Sequence, residues 1–241
     1  MKKLLLSLLM ATACVVIANA QAYCGDHAFD GTHRNEVHGY VMAGTNVVTD
    51  GFGGIAAGYR RHLTKRWDVG GDFQLQFGKQ LYSFDVMAGY RLPLKYGSIF
   101  FDGFFHYNRY NRWGFNETIV NLSAIWESPY VDIRLGESYI HYQRSGHERG
   151  SNGYSEPLTL TFGVGVNIRH RNNPWNIGLF FRNYDEFYYE NWNINWGVRF
   201  YAPLPRRMKL FGEFNVRPAG SISQLASKYE GSVKLGVKYN W

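Results

Sequence analysis

The sequence predicts an all-β protein, a closed antiparallel transmembrane β-barrel of twelve strands. Three observations carry that reading. Apolar residues recur with period two along most of the chain, the alternating segments run to about 10 to 14 residues, and the joins between them are alternately short and long. Soluble sheets use strands of about 5 or 6 residues, whereas a tilted strand needs about ten to cross a bilayer. No apolar run of about 18 residues lies beyond the N-terminus, which excludes a helical membrane protein.

The last segment shows the alternation most plainly. Val233, Leu235, Val237, Tyr239 and Trp241 fall on one face, and Ser232, Lys234, Gly236, Lys238 and Asn240 on the other. A helix would mix these two sets. Leu158 to Ile168 and Trp192 to Phe200 divide in the same way, with bulk on one face and charge, Asn or Gly on the other. Strands are expected near 37–48, 52–62, 67–78, 81–92, 97–109, 115–126, 130–143, 156–169, 175–186, 190–201, 208–217 and 230–241. Within 130–143, Glu137 falls on the apolar face unless a bulge shifts the register.

Residues 1–20 read as a secretory signal peptide, with Lys2 and Lys3 ahead of apolar Leu4 to Ile17 and the cleavage site Ala18-Asn19-Ala20. Residues 21–36 form a polar lead segment and 37–241 the barrel. Only Cys24 would remain after cleavage, so no disulfide can form within the chain. The short joins, such as Thr64-Lys65-Arg66 and Pro203-Leu204-Pro205, are expected in the periplasm, and the long ones, such as Arg144 to Ser155, outside the cell. The chain has 7 Trp, 18 Tyr and 17 Phe. Tyr59, Trp67, Tyr90, Trp126, Tyr130, Trp175, Tyr201 and Trp241 gather beside the short joins, and Tyr82, Tyr107, Tyr110, Trp113, Tyr139, Tyr184, Tyr188, Tyr189 and Trp192 beside the long ones. They read as two interfacial belts.

With these features the chain resembles the bacterial outer-membrane β-barrels of small, porin-like type over residues 37–241. Its end, Val237-Lys238-Tyr239-Asn240-Trp241, is similar to their C-terminal targeting strand, with Trp241 where members usually carry Phe. The resemblance implies a place in the bacterial outer membrane, contact with its lipid and lipopolysaccharide, and recognition by the barrel assembly machinery. It also implies one of two functions. One is passive, a narrow channel for small solutes or a structural envelope protein. The alternative is a lipid-acting hydrolase of phospholipase or lipid A deacylase type.

The inward faces are the functional candidates. Alternation points Asp72, Asp85, Asp102 and His106 inward from strands three to five, and Arg182, Glu213 and Lys234 from strands nine to twelve, with Arg134 between them. These eight are expected to line the pore. If strand n faces strand n+6, an acid wall looks across the lumen at a basic one. The walls could pair and plug the lumen, or stay apart across water and select solutes by charge. Inward Met42, Met87, Phe100, Phe104, Phe180 and Phe211 point to a narrow lumen.

Other chemistry finds little support. A hydrolase would need a Ser beside a His, and the nearest match, Ser145-Gly146-His147 with Ser151, sits among glycines in a long loop. Cys24, His27 and His33 lack the paired spacing of a zinc site, so no metal is expected, and no phosphate-cradling glycine loop or other cofactor pattern is present. The formal charge is +7, but the basic residues cluster at the short joins, which argues for lipid headgroups and against nucleic acid.

Overall fold

The computed structural model describes residues 34–45, 51–77, 81–111, 114–144, 154–168, 175–185, 188–189, 194–219 and 228–241. The strands are β1 Asn35–Thr45, β2 Phe52–His62, β3 Trp67–Gln76, β4 Leu81–Leu94, β5 Gly97–Tyr110, β6 Phe115–Glu127, β7 Val131–Arg144, β8 Tyr154–Asn167, β9 Asn176–Arg182, β10 Tyr184–Asp185, β11 Tyr188–Tyr189, β12 Asn195–Leu204, β13 Met208–Ala219 and β14 Lys228–Asn240. Twelve of them form one closed antiparallel barrel in the order β1-β14-β13-β12-β9-β8-β7-β6-β5-β4-β3-β2, and β10 and β11 make a separate two-stranded ribbon. The expected signal peptide, residues 21–33 of the lead segment and most of the long joins lie outside the described residues, while Asn35 and Glu36, expected in the lead segment, begin β1.

The barrel closes where β1 meets β14, in register from Glu36 opposite Asn240 to Thr45 opposite Gly231. Closure removes the two edges that an open sheet would leave unpaired, a necessity where no water can satisfy them. At the seam the backbone of Trp241 accepts from Arg34 and Asn35 at 3.1 and 3.0 Å, and its ring stacks on Tyr239 with centroids 5.7 Å apart. Local chemistry sets the tight turns. The Thr64 hydroxyl accepts from the backbone N–H groups of Arg66 and Trp67 at 3.1 and 3.0 Å, which bends the chain between β2 and β3. Arg206 and Arg207 both hold the left-handed conformation, with φ of 61° and 64°, and turn β12 into β13.

Period-two alternation decides what faces out. On β14 Val233, Leu235, Val237 and Tyr239 are exposed while Lys234 and Lys238 are buried. The same inversion, with large apolar side chains exposed and charged ones buried, runs around the wall, as at Phe73 against Asp72 and Phe101 against Asp102. In water this would be unstable, and in a bilayer it is the required arrangement.

Several expectations need correction. Tyr201 and Tyr110 do not join the interfacial belts, because they share a phase with Arg199 and Asn108 and are buried at 8% and 2% exposure. The ninth strand stops at Arg182, where the Asn183 side chain turns back onto β8, accepting from Phe162 N at 2.7 Å and donating to Leu160 O at 2.6 Å. The tenth barrel strand begins at Asn195, five residues later than expected. Glu137 does face outward, opposite Leu122 and Leu160. A bulge follows it, since Ser138 pairs with Thr159 but Ile140 with Glu156. It lies beyond Glu137 and leaves that residue on the outer face.

Leu235 lies near the middle of β14 on the outer face. Leu235→Arg is expected to lower folding stability in lipid vesicles by about 2–4 kcal/mol, read by urea titration. A change below about 0.5 kcal/mol would mean that this face meets water.

Candidate lumen site

The inner wall carries many charges of both signs, with carboxylates in excess. Among the described residues its buried side chains include nine carboxylates, six Lys or Arg and two His, none more than 8% exposed. Charges cannot stay buried singly, so each must find a partner or neutralise. All eight expected lining residues, Asp72, Asp85, Asp102, His106, Arg134, Arg182, Glu213 and Lys234, are buried on this wall. Whether they line an open pore depends on what they pair with.

The structure pairs them around the wall. Asp85 bonds His106 on the next strand, and Asp102 bonds both Arg134 and Ser123. Glu213 takes Arg182 at 2.6 Å and lies 3.7 Å from Lys234. Asp72, the remaining acid of the eight, bonds His38 Nε2 at 2.5 Å. Arg199 reaches Asp132 at 2.7 Å and Asn167 at 3.2 Å, and Lys238 reaches Glu36 at 3.1 Å. Every one of these pairs joins strands three or fewer places apart in the barrel order. None of these pairs spans the six places across the lumen that a meeting of acid wall and basic wall would need.

Reach explains the preference. Adjacent strands are about 4.8 Å apart, so partners two strands away start about 10 Å apart, within range of two extended side chains. The strand between must then be low. Asp72 and His38 meet above Gly58, the register partner of both, and a Cβ there would overlap Asp72 Oδ1 and His38 Nε2. Arg199 and Asp132 pass over Gly165 and Gly178, where an added Cβ would lie 2.7 Å from Arg199 Nη2 and 2.9 Å from Arg199 Nε. One row thus carries His38, Gly58, Asp72, Asp85 and His106 on β1 to β5. It sets two carboxylates directly opposite each other and gives each its own imidazole.

Two apolar clusters share the interior with these charges. Met87, Phe100, Phe104, Ile119, Ile125 and Ile140 pack inside β4 to β7. Tyr40, Met42, Tyr201 and Phe211 belong to the second cluster, with Tyr40 and Phe211 edge to face at 6.0 Å. Several rings also act as platforms for cations: Arg182 lies 4.2 Å over Phe180, Arg91 5.0 Å over Phe100 and Lys238 5.8 Å over Tyr201. Between Arg134, Arg182, Arg199 and Asp132 a cavity of about 20 Å³ remains, room for one water.

Sequence reasoning missed His38 and Glu36. His38 shares the phase of Met42 and was open to discovery, whereas Glu36 lies before the expected start of the strand. Ser145, His147 and Ser151, and Cys24, His27 and His33, lie outside the described residues. Among the described residues no three His, Cys, Asp or Glu side chains gather as metal ligands.

Gly58→Ala is expected to cost about 1–3 kcal/mol by forcing apart a packed pair, while Gly39→Ala, whose nearest contact would be Ala56 O at 3.5 Å, should cost little. Asp102→Ala leaves the Arg134 guanidinium without its carboxylate and is expected to cost about 3–5 kcal/mol. Urea titrations of the three variants in vesicles check both, and equal midpoints for Gly58→Ala and Gly39→Ala would contradict the bridge.

No protein-family model matches the chain, and no curated protein matches it. Solved structures do. A KdgM porin in complex with disordered oligogalacturonate superposes with a TM-score of 0.56 at 11% identity, covering 86% of this chain and 99% of that one. The translocator domain of autotransporter NalP from Neisseria meningitidis gives 0.55 at 14%, covering 92% of each. The Acinetobacter baumannii outer membrane protein Omp33 gives 0.51 at 12%, covering 87% and 98%. These likenesses are of fold, and together with the apolar outer wall they show that the chain has the transmembrane β-barrel fold of bacterial outer-membrane proteins.

Proposed function

We propose that the barrel is a narrow passive channel for small polar solutes and single ions, constricted by Phe100 and Phe104. The observation that carries this reading is the direction of the ion pairs. His38 with Asp72, Arg134 with Asp102, Arg182 with Glu213 and Arg199 with Asp132 join strands two or three places apart, along the wall and not across the lumen. A charged wall whose pairs run along it can pass a solute when its side chains swing aside. Twelve strands also fall between the eight that side chains just fill and the sixteen that leave an aqueous channel. A wall whose nine buried carboxylates stand among its cations is a poor match for a polyanion, so the acidic oligosaccharide in the KdgM complex is not carried over to this chain.

One observation favours a structural envelope barrel instead. The buried charged side chains of the wall are at most 8% exposed, and Phe100 and Phe104 pack among them at 0% and 3%. Planar bilayers separate the two readings. The wild type is expected to conduct in small steps, and Phe100→Ala with Phe104→Ala is expected to raise the step several-fold by clearing the constriction. Silence in both proteins, each folded by gel mobility, would contradict the channel and leave the structural role.

A further inference from the structure

We propose that the outer wall over β3 to β7 is a phospholipid site, with an acyl chain in a trough between the strands and an acidic headgroup on Arg66. The lipid wall of a barrel is ordinarily filled by large side chains, and here it dips. Ala88 and Gly103 are register partners on β4 and β5, and Ala124 lies one step away opposite Phe101. Around these small residues stand Tyr90, Phe101, Leu122, Leu135 and Tyr139, enclosing a trough of about 680 Å³ on the outer face. Phe101, Leu122, Leu135 and Tyr139 are between 41% and 59% exposed, so no part of the described chain covers it.

The two ends of the trough differ in charge, and the difference selects the occupant. Trp67 and Tyr90 form one end, with ring centroids 5.0 Å apart, and Arg66 donates from Nη1 to the Tyr90 hydroxyl at 3.1 Å. A guanidinium is thereby held at the interfacial aromatic level, where a lipid phosphate lies. Lys65 is exposed in the same turn. Along the described short-turn rim Arg34, Arg61, Lys95, Arg206 and Arg207 are exposed as well, with no exposed Asp or Glu side chain among them. At the other end stands Glu137, exposed on the outer face, in the row Ala88, Gly103, Leu122, Glu137. Three strand spacings make that row about 14 Å long. A carboxylate facing hydrocarbon is unfavourable to an acyl chain, so Glu137 bounds the apolar stretch that begins at Arg66. A bilayer lipid entering from the short-turn leaflet matches this polarity, with its anion at Arg66 and its chain in the dip. The site is independent of whether the lumen conducts.

Native mass spectrometry of the detergent-purified barrel, titrated with phosphatidylglycerol or phosphatidylcholine, tests the proposal. The wild type is expected to retain one phosphatidylglycerol at concentrations several-fold below those needed for phosphatidylcholine. Ala88→Leu with Ala124→Leu, which fills the dip, should lose both lipids. Arg66→Gln, a change in an exposed turn, should keep a chain-dependent mass shift and lose the headgroup preference, while Arg207→Gln, in the turn between β12 and β13, should change neither. Retention of phosphatidylglycerol by a folded filled-trough variant, or an unchanged preference in Arg66→Gln, would overturn the site. A wild-type dimer that the filled trough abolishes would also overturn it, by showing that a second copy occupies this face.

Discussion

Everything in this molecule depends on the closure of β1 on β14. A closed ladder satisfies every strand edge without water, and in hydrocarbon nothing else would. Once the cylinder is closed, period-two geometry leaves each side chain only two directions. The outward direction must be mostly apolar, so most charged side chains of the spanning strands go inward, with Glu137 an exception. The crowded charges of the inner wall are a consequence of membrane insertion before they are a device for any function.

That crowding is resolved locally. Pairs such as Arg182 with Glu213 and Arg134 with Asp102 skip one strand, and the longest, Arg199 with Asp132, skips two. Three such skips pass over a low point in the sheet. Gly58, Gly165 and Gly178 supply it, and at Asp102 the intervening residue is Ser123, which adds a hydrogen bond of its own. Buried pairs of this kind contribute little net stability compared with an apolar core, but losing one partner is costly. The wall is therefore specified less by the strength of its pairs than by the penalty for breaking them. The apolar clusters of Met87, Phe100 and Phe104 and of Tyr40, Met42 and Phe211 fill space that the short pairs do not cross.

Much of this was readable in the chain. Val233 to Trp241 gave its phase unambiguously, as did the runs ending at Ile168 and Phe200, and the inward direction of all eight lining candidates follows from phase alone. What phase cannot supply is the partner. Opposition across a cylinder sets strands three to five facing nine to eleven, but the pairs described span one to three strand spacings. Tyr110 and Tyr201 show a related limit. They stand next to turns, where belts form, yet their phase sends them inward, and phase prevailed. The early end of β9 rests on the Asn183 amide bonding across to β8, a contact between residues 21 and 23 positions apart that no local pattern encodes. The catalytic and metal candidates of the long central loop and the N-terminal segment lie outside the described residues.

The central claim, that the charges of the lumen are neutralised around the wall and not across it, is open to a direct test by double-mutant cycles on folding stability in vesicles. Arg199 with Asp132 joins strands three places apart, and Asp72 with Arg182 spans the full six. The account predicts a coupling above about 1 kcal/mol for Arg199→Ala with Asp132→Ala, and additivity within about 0.5 kcal/mol for Asp72→Ala with Arg182→Ala. Strong coupling of Asp72 with Arg182, alongside additivity for Arg199 with Asp132, would mean that the walls reach across the lumen and would contradict it.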